Sequence, residues 1–273
     1  MTPALLTLLT RPESAPATLA ASAAAAARYD RPTLAILHVR HDPAALILAP
    51  EEVLTERHRT ELEAAEAARA ALLHDAVRRW RATAGAAAAG ARWIDETGTV
   101  AAGLRRHGAR AALLVLGHEP RLLPEDDRAA IRTALFDLRR PVLLVPAGWS
   151  GGLGRRVLIA WKPSEQAVRA VAAAAPFLAG AERVEALAVQ RPGRDGTPAL
   201  LRALGTHAGG VALESVEPGA GPAGAVLLHQ ARERGADLLV AGAYSHSRAY
   251  EFVLGGVTRH LLHHADLPVL MAH

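Results

Sequence analysis

Cysteine is absent from the 273 residues, which removes disulfides, thiolate metal sites, iron–sulfur clusters and thiol nucleophiles at once. No apolar run approaches the roughly 20 residues that a membrane span needs. The first residues lack the basic-then-apolar order of a secretion signal. The expectation is a soluble, cytoplasmic chain with no membrane partner. Lysine is nearly missing as well: Lys162 is the only one, and every other basic residue besides histidine is Arg. The formal charge of +4 divides evenly about residue 148 and forms no tail or stripe. Nucleic-acid binders concentrate positive charge, so no nucleic-acid partner is expected.

What remains is apolar substance arranged in alternation. Hydrophobic residues make up 51% of the chain and charged residues 21%, which excludes a disordered protein. The length fits two moderate domains or one large α/β domain. In the first half, strands are predicted at 5–9, 33–39, 92–94, 111–116 and 142–145, with helices at 14–28, 51–84, 98–107 and 125–138. In the second, strands are predicted at 157–161, 183–189, 210–216, 237–241 and 267–271. Helices there cover 164–178, 198–207, 221–234 and 256–265, the first capped by Pro163 or Ser164. The long helix 51–84 carries Leu54, Leu62, Ala65, Leu72, Ala76 and Trp80 at three-to-four-residue spacings, its predicted inner face. Its Glu51, Glu52, Glu56, Glu61, Glu63 and Glu66 lie amid Arg and read as a solvated face. Strands alternating with helices imply parallel sheet and right-handed crossovers.

The same order occurs twice. Gly108-Ala-Arg-Ala-Ala-Leu-Leu-Val-Leu-Gly117 parallels Gly235-Ala-Asp-Leu-Leu-Val-Ala-Gly242. Arg140-Pro-Val-Leu-Leu-Val parallels Leu267-Pro-Val-Leu-Met-Ala, and Thr10-Arg11-Pro12 follows its strand as Trp161-Lys162-Pro163 does. A repeat this long is a tandem domain, not a solenoid period. The division expected is 1–147, a linker at 148–154, and 155–273.

Ligands of open parallel sheets sit beyond the carboxyl ends of the strands. The segment after Ala241 reads Gly242-Ala-Tyr-Ser-His-Ser-Arg-Ala-Tyr-Glu-Phe-Val-Leu-Gly255-Gly256-Val-Thr258. Glycines around a loop that feeds a helix leave backbone N–H groups to face an anion. Arg248 or Arg259 would supply counter-charge.

The stretch Gly235–His273, with Val157–Leu178, resembles the universal stress protein family. The whole chain resembles a tandem member with a diverged first domain. The resemblance implies two five-stranded parallel α/β units of order 3-2-1-4-5, the adenine nucleotide alpha hydrolase-like fold. It further implies a non-enzymatic role in the stress response through self-association or partner binding. Family members often dimerise by antiparallel pairing of their last strands. Here Val142–Val145 and Val269–Met271 would pair within one chain as a pseudo-dimer, the alternative being a homo-oligomer.

One subgroup binds ATP through Gly-x-x-Gly, nine residues, then Gly-Ser/Thr, with an acid after the first strand. Gly242 and Gly255 fit that pattern, whereas Ser245 replaces the second glycine, Gly256 replaces the hydroxyl residue, and Lys162 replaces the acid. Lys162 cannot accept a hydrogen bond from a ribose hydroxyl but would attract a phosphate. The tentative anion or nucleotide site is therefore Gly242, Ser245, Arg248, Gly255, Gly256, Thr258 and Lys162, with ATP disfavoured and a nucleotide-responsive switch as the alternative function. Arg11 stands at the matching turn of the first half, whose later loop is closed by Glu125, Asp126 and Asp127 at a helix start.

Other signals carry less. Gly148-Trp-Ser150-Gly-Gly152 has the nucleophile-elbow pattern but leads to a strand, where the elbow needs a helix. No catalytic residue is expected. His260, His263 and His264 read as solvated or helix-terminal histidines rather than a metal site. His273 is expected to be disordered. The apolar loop Pro43–Pro50 either covers its own core or forms a subunit contact.

Overall fold

In a computed structural model of the chain, the described residues are 4–42, 55–120, 122–190, 196–217, 221–243 and 256–273. The loop at 43–50, Leu54, Glu51, Glu52, and the site candidates Ser245, Arg248 and Gly255 lie outside them.

The first half runs β1 (Ala4–Leu8), α1 (Ala15–Ala26), β2 (Thr33–His41), α2 (Glu56–Thr83) and the single turn α3 (Ala86–Ala89). It continues through β3 (Arg92–Gly98), α4 (Val100–Gly108), β4 (Leu113–His118), α5 (Glu125–Arg132) and β5 (Val142–Pro146). A π turn over Thr133–Asp137 prolongs α5. The second half comprises β6 (Arg156–Ala160), α6 (Glu165–Leu178), β7 (Arg183–Val189), α7 (Thr197–Leu204) and β8 (Leu213–Val216). Then come α8 (Ala223–Glu233), β9 (Leu238–Gly242), α9 (Gly256–His264) and β10 (Val269–Ala272). Ser164 is the α6 cap, its hydroxyl accepting from the Ala167 N–H at 3.2 Å.

All ten strands form one sheet, ordered β3-β2-β1-β4-β5-β10-β9-β6-β7-β8. Each half has the order 3-2-1-4-5, and neighbours within a half are parallel. The halves meet where β5 pairs antiparallel with β10. Leu143 lies opposite Leu270, flanked by Val142 opposite Met271 and Leu144 opposite Val269. Leu143 and Leu270 hold the same place in their halves, since each pairs with the third residue of the adjacent strand, Val115 and Val240. The join is thus self-complementary about an approximate two-fold axis, the geometry of an isologous dimer interface. It also removes two exposed strand edges.

Alternation along the strands sends successive side chains to opposite faces, and each face carries one core spanning both halves. On one face Leu19, Leu73, Leu143 and Val145 join Phe177, Leu200 and Leu270. On the other, Leu104, Ile131, Val142 and Leu144 join Leu227, Leu261 and Met271. The segment between the halves belongs to this packing: Leu153 is buried, and a Cβ on Gly154 (φ +73°) would lie 3.0 Å from the Phe177 ring. Arg28, just past α1, donates to the carbonyls of Leu153 (2.7 Å) and Gly180 (3.0 Å), tying the first half to the second.

Several expectations need correction. The inner face of α2 is Ala70, Leu73 and Val77, with Ala76 and Trp80 beside it. Leu62 and Leu72 are 37% and 59% exposed, and Ala65 is exposed too. Only the second half of α2 lies over the sheet. Its opening turns are held by local pairs such as Arg57–Glu61 (2.9 Å) and Arg59–Glu63 (2.6 Å). Glu66 is not part of a solvated face but an ion-pair partner of Arg69 and His41. β3 runs four residues beyond its predicted end because Asp95 pairs with Arg40 of β2 and Glu96 with Arg106 and His107 of α4. His273 is ordered: its Nδ1 meets the Ala243 carbonyl at 3.1 Å and its ring lies 4.6 Å from that of Phe136.

Candidate functional site

The order of strands reverses between the first and fourth strand of each half, and the crevice beyond their carboxyl ends is where such sheets take ligands. In the second half these strands are β6 and β9, with Ala160 beside Ala241. Lys162 lies exposed in the turn after β6, Gly242 ends β9, and Gly256 opens α9. Thr258, in the first turn of α9, is buried at 4% exposure. Lys162 and Gly242 thus follow neighbouring strand ends, and Gly256 and Thr258 open the helix that leads to β10.

The two described glycines there behave differently. A Cβ on Gly242 would fall 2.6 Å from the backbone nitrogen of Ala167 and 2.8 Å from the carbonyl carbon of Gln166, so β9 presses on the first turn of α6. Gly117, its equivalent in the first half, likewise faces the start of α1, where the nearest atoms are side-chain hydroxyls, Thr18 Oγ1 at 2.5 Å and Ser14 Oγ at 3.0 Å. A glycine required in both halves is a packing device. Gly256 is not: a Cβ there would meet nothing within 4 Å. Trp161, buried at 3% exposure, donates its indole N–H to the Gly196 carbonyl at 3.2 Å and fills the space beside the end of β6.

The register revises one equivalence. Leu9 N–H donates to Leu37 O as Trp161 N–H donates to Leu187 O, at 2.9 and 2.8 Å. Lys162 thus corresponds to Thr10, and Arg11 falls within a turn two residues longer before its cap, Ser14. The basic residues before Pro12 and Pro163 are not counterparts.

In the first half the crevice holds the protein's own charges. Asp127, 2% exposed, takes hydrogen bonds from Arg11 Nη2 (2.8 Å) and Thr10 Oγ1 (3.3 Å). It stands at the third position of α5, as Thr258 does in α9. Burial raises the Asp127 pKa, outweighing Arg11 and the hydrogen bonds from the Glu119 backbone and Thr10. Beside it His41 Nε2 meets Asp126 at 2.9 Å, while its backbone N–H donates to Glu66 at 2.8 Å. The Asp126 hydrogen bond is the main cause of a raised His41 pKa. A buried carboxylate with a guanidinium and a hydroxyl on it occupies the crevice as an internal anion.

His118 closes β4 in this crevice and is 1% exposed. Neither ring nitrogen has a hydrogen-bond partner among the described residues. Burial, then the charges of Arg11 and His263, pushes its pKa down to about 4. Ala243 holds the equivalent place after β9. Sequence reasoning passed over His118, His41 and Trp161; the signal for His118 was a polar residue directly after the aligned glycine where the other half has Ala243. Ser150 is exposed in bends that lead into β6, without the helix an elbow requires. Among the described residues, no group of three or more His, Cys, Asp or Glu is placed to hold a metal, and no helix is long and apolar enough to cross a membrane.

Residues 199–273, from α7 to β10, match the model of the universal stress protein family. The whole chain is similar in fold to a universal stress protein from Archaeoglobus fulgidus DSM 4304, with a TM-score of 0.68 at 15% identity, covering 98% of this chain and 95% of that one. It is similar too to a functionally unknown protein from Pseudomonas aeruginosa PAO1, with a TM-score of 0.59 at 13% identity over 98% of this chain and 92% of that one. No curated protein matches the sequence. The likeness to both structures is one of fold and extends over both halves.

Proposed function

We propose that this chain is a tandem universal stress protein, non-enzymatic, that acts in the stress response by associating with a partner protein. Its units are 1–147, diverged, and 155–273, joined through 148–154. The observation that carries this reading is the β5–β10 pairing about Leu143 and Leu270. A chain that completes its own two-fold assembly has no need of a second copy at that edge, which favours an intramolecular pseudo-dimer over a homo-oligomer joined there. The internal anion Asp127 supports a first half without a ligand. The second half keeps a tentative anion site at Gly242, Ser245, Arg248, Gly255, Gly256, Thr258 and Lys162, with Lys162 favouring an anion over the ribose contact of an adenine nucleotide.

Calorimetry with Mg-ATP, sedimentation and analysis of co-purifying nucleotide test this together. The expected result is a monomer with no bound nucleotide and no heat at millimolar ATP. Stoichiometric ATP binding would replace the reading with a nucleotide-responsive switch in the second half. A dimer at micromolar concentration would overturn the self-contained assembly.

A further inference from the structure

Helix α9 carries His260 and His264 one turn apart, and their ring centroids lie 4.3 Å from each other with planes tilted by 37°. The first of these side chains is held at its base. Gly224 of α8 approaches so closely that a Cβ there would lie 2.5 Å from the His260 Cβ. The ring of His260 is half-buried and that of His264 is exposed. Among the described residues, no hydrogen bond or ion pair engages either imidazole.

We propose that His260 and His264 form a two-imidazole chelate for a borderline divalent metal ion such as Zn²⁺ or Cu²⁺, with water completing the coordination. Two histidines at i, i+4 share one helical face, a spacing at which two ring nitrogens can take one metal ion, and imidazole suits these ions. The nearest acid in sequence, Asp266, is engaged by Arg232 at 2.8 Å, so it adds no oxygen donor. His263 lies farther round the helix, its ring 6.4 Å from that of His264. A two-donor site is open and exchangeable. The ion it prefers is set by donor type, with Cu²⁺ above Zn²⁺.

Titration of the full chain with Zn²⁺, followed by histidine ring NMR and calorimetry, tests this. His260 and His264 signals are expected to move first and together. Replacing either residue, His264→Ala or His260→Ala, is expected to weaken Zn²⁺ binding at least tenfold. His58→Ala, an exposed histidine on α2, is expected to leave it unchanged. Because His264 is exposed, its loss leaves folding intact and the readout interpretable. Binding that is equally tight in both α9 variants, or first seen at other histidines, would overturn the proposal, as would no binding.

Discussion

Replacing His118 by leucine isolates the titration of one buried ring. In the folded chain His118 is 1% exposed, and its nitrogens have no partner among the described residues. Burial, and after it the nearby Arg11 and His263, hold its pKa at about 4 against 6.5 for an ordinary histidine. Between those values the unfolded chain binds a proton that the folded chain refuses. Stability is therefore complete above pH 6.5, declines as pH falls, and has lost this contribution near pH 4. At about 1.4 kcal/mol per unit, the loss is about 3 kcal/mol. Asp127 titrates with the opposite sign, because burial raises its folded pKa and acid then favours the folded state. It is present in both proteins, so its contribution cancels in the comparison. Urea unfolding across this pH range gives the free energies, with a constant slope as the check on two-state behaviour. The gap between wild type and His118→Leu is expected to shift by about 3 kcal/mol in favour of the variant on acidification. Parallel pH profiles would show that His118 titrates normally and that its burial carries no such cost.

The two crevice glycines should respond in opposite ways: Gly242→Ala is expected to destabilise by roughly 1–3 kcal/mol through its clash with the α6 backbone. Gly256→Ala, facing open space at a helix start, is expected to be neutral or to stabilise by about 0.5 kcal/mol; equal destabilisation by both, measured in urea, would refute the distinction. Removing the latch with Arg28→Ala forfeits two charge-assisted bonds between the halves and is expected to cost about 1–2 kcal/mol, with faster hydrogen exchange around Leu153. An unchanged exchange pattern would show that the shared cores alone hold the halves. Lys162→Asp is expected to confer heat on titration with Mg-ATP where wild type gives none, and silence from both proteins would show that this position does not control the second crevice.

The repeated strand runs made the architecture readable because each is a short block of Val, Leu and Ile opened by Pro or Gly, a pattern that survives whatever surrounds it. Pro141 and Pro268 open matching runs, which marked β5 and β10 as equivalent strands; that they would pair was implied by the family resemblance and not by the residues. The face of α2 was not legible. Its alanines offer several stripes of similar apolarity, and which one is buried depends on how far the helix overhangs the sheet. Asp127 was visible only as one of three acids at a helix start. Its role depends on Arg11, a partner 116 positions away, and no local pattern carries that information. The pairing of Lys162 with Arg11 failed because sequence alignment cannot see that the first turn is two residues longer, whereas the strand register fixes it.

The frame is symmetric and the crevices are not. At equivalent places the first half has Thr10, His118 and Asp127, and the second has Lys162, Ala243 and Thr258. The first set contains its own anion, held by Arg11 from the longer turn; the second has no acid among these residues. Yet the crevices are not separate. Helix α9 begins at the second crevice with Gly256, and near its end His263 lies close enough to depress the pKa of His118 in the first. The π turn that prolongs α5 from the first crevice returns the relation, placing Phe136 on His273, whose ring is bonded to the residue after β9. Each helix thus starts in one crevice and ends against the other half.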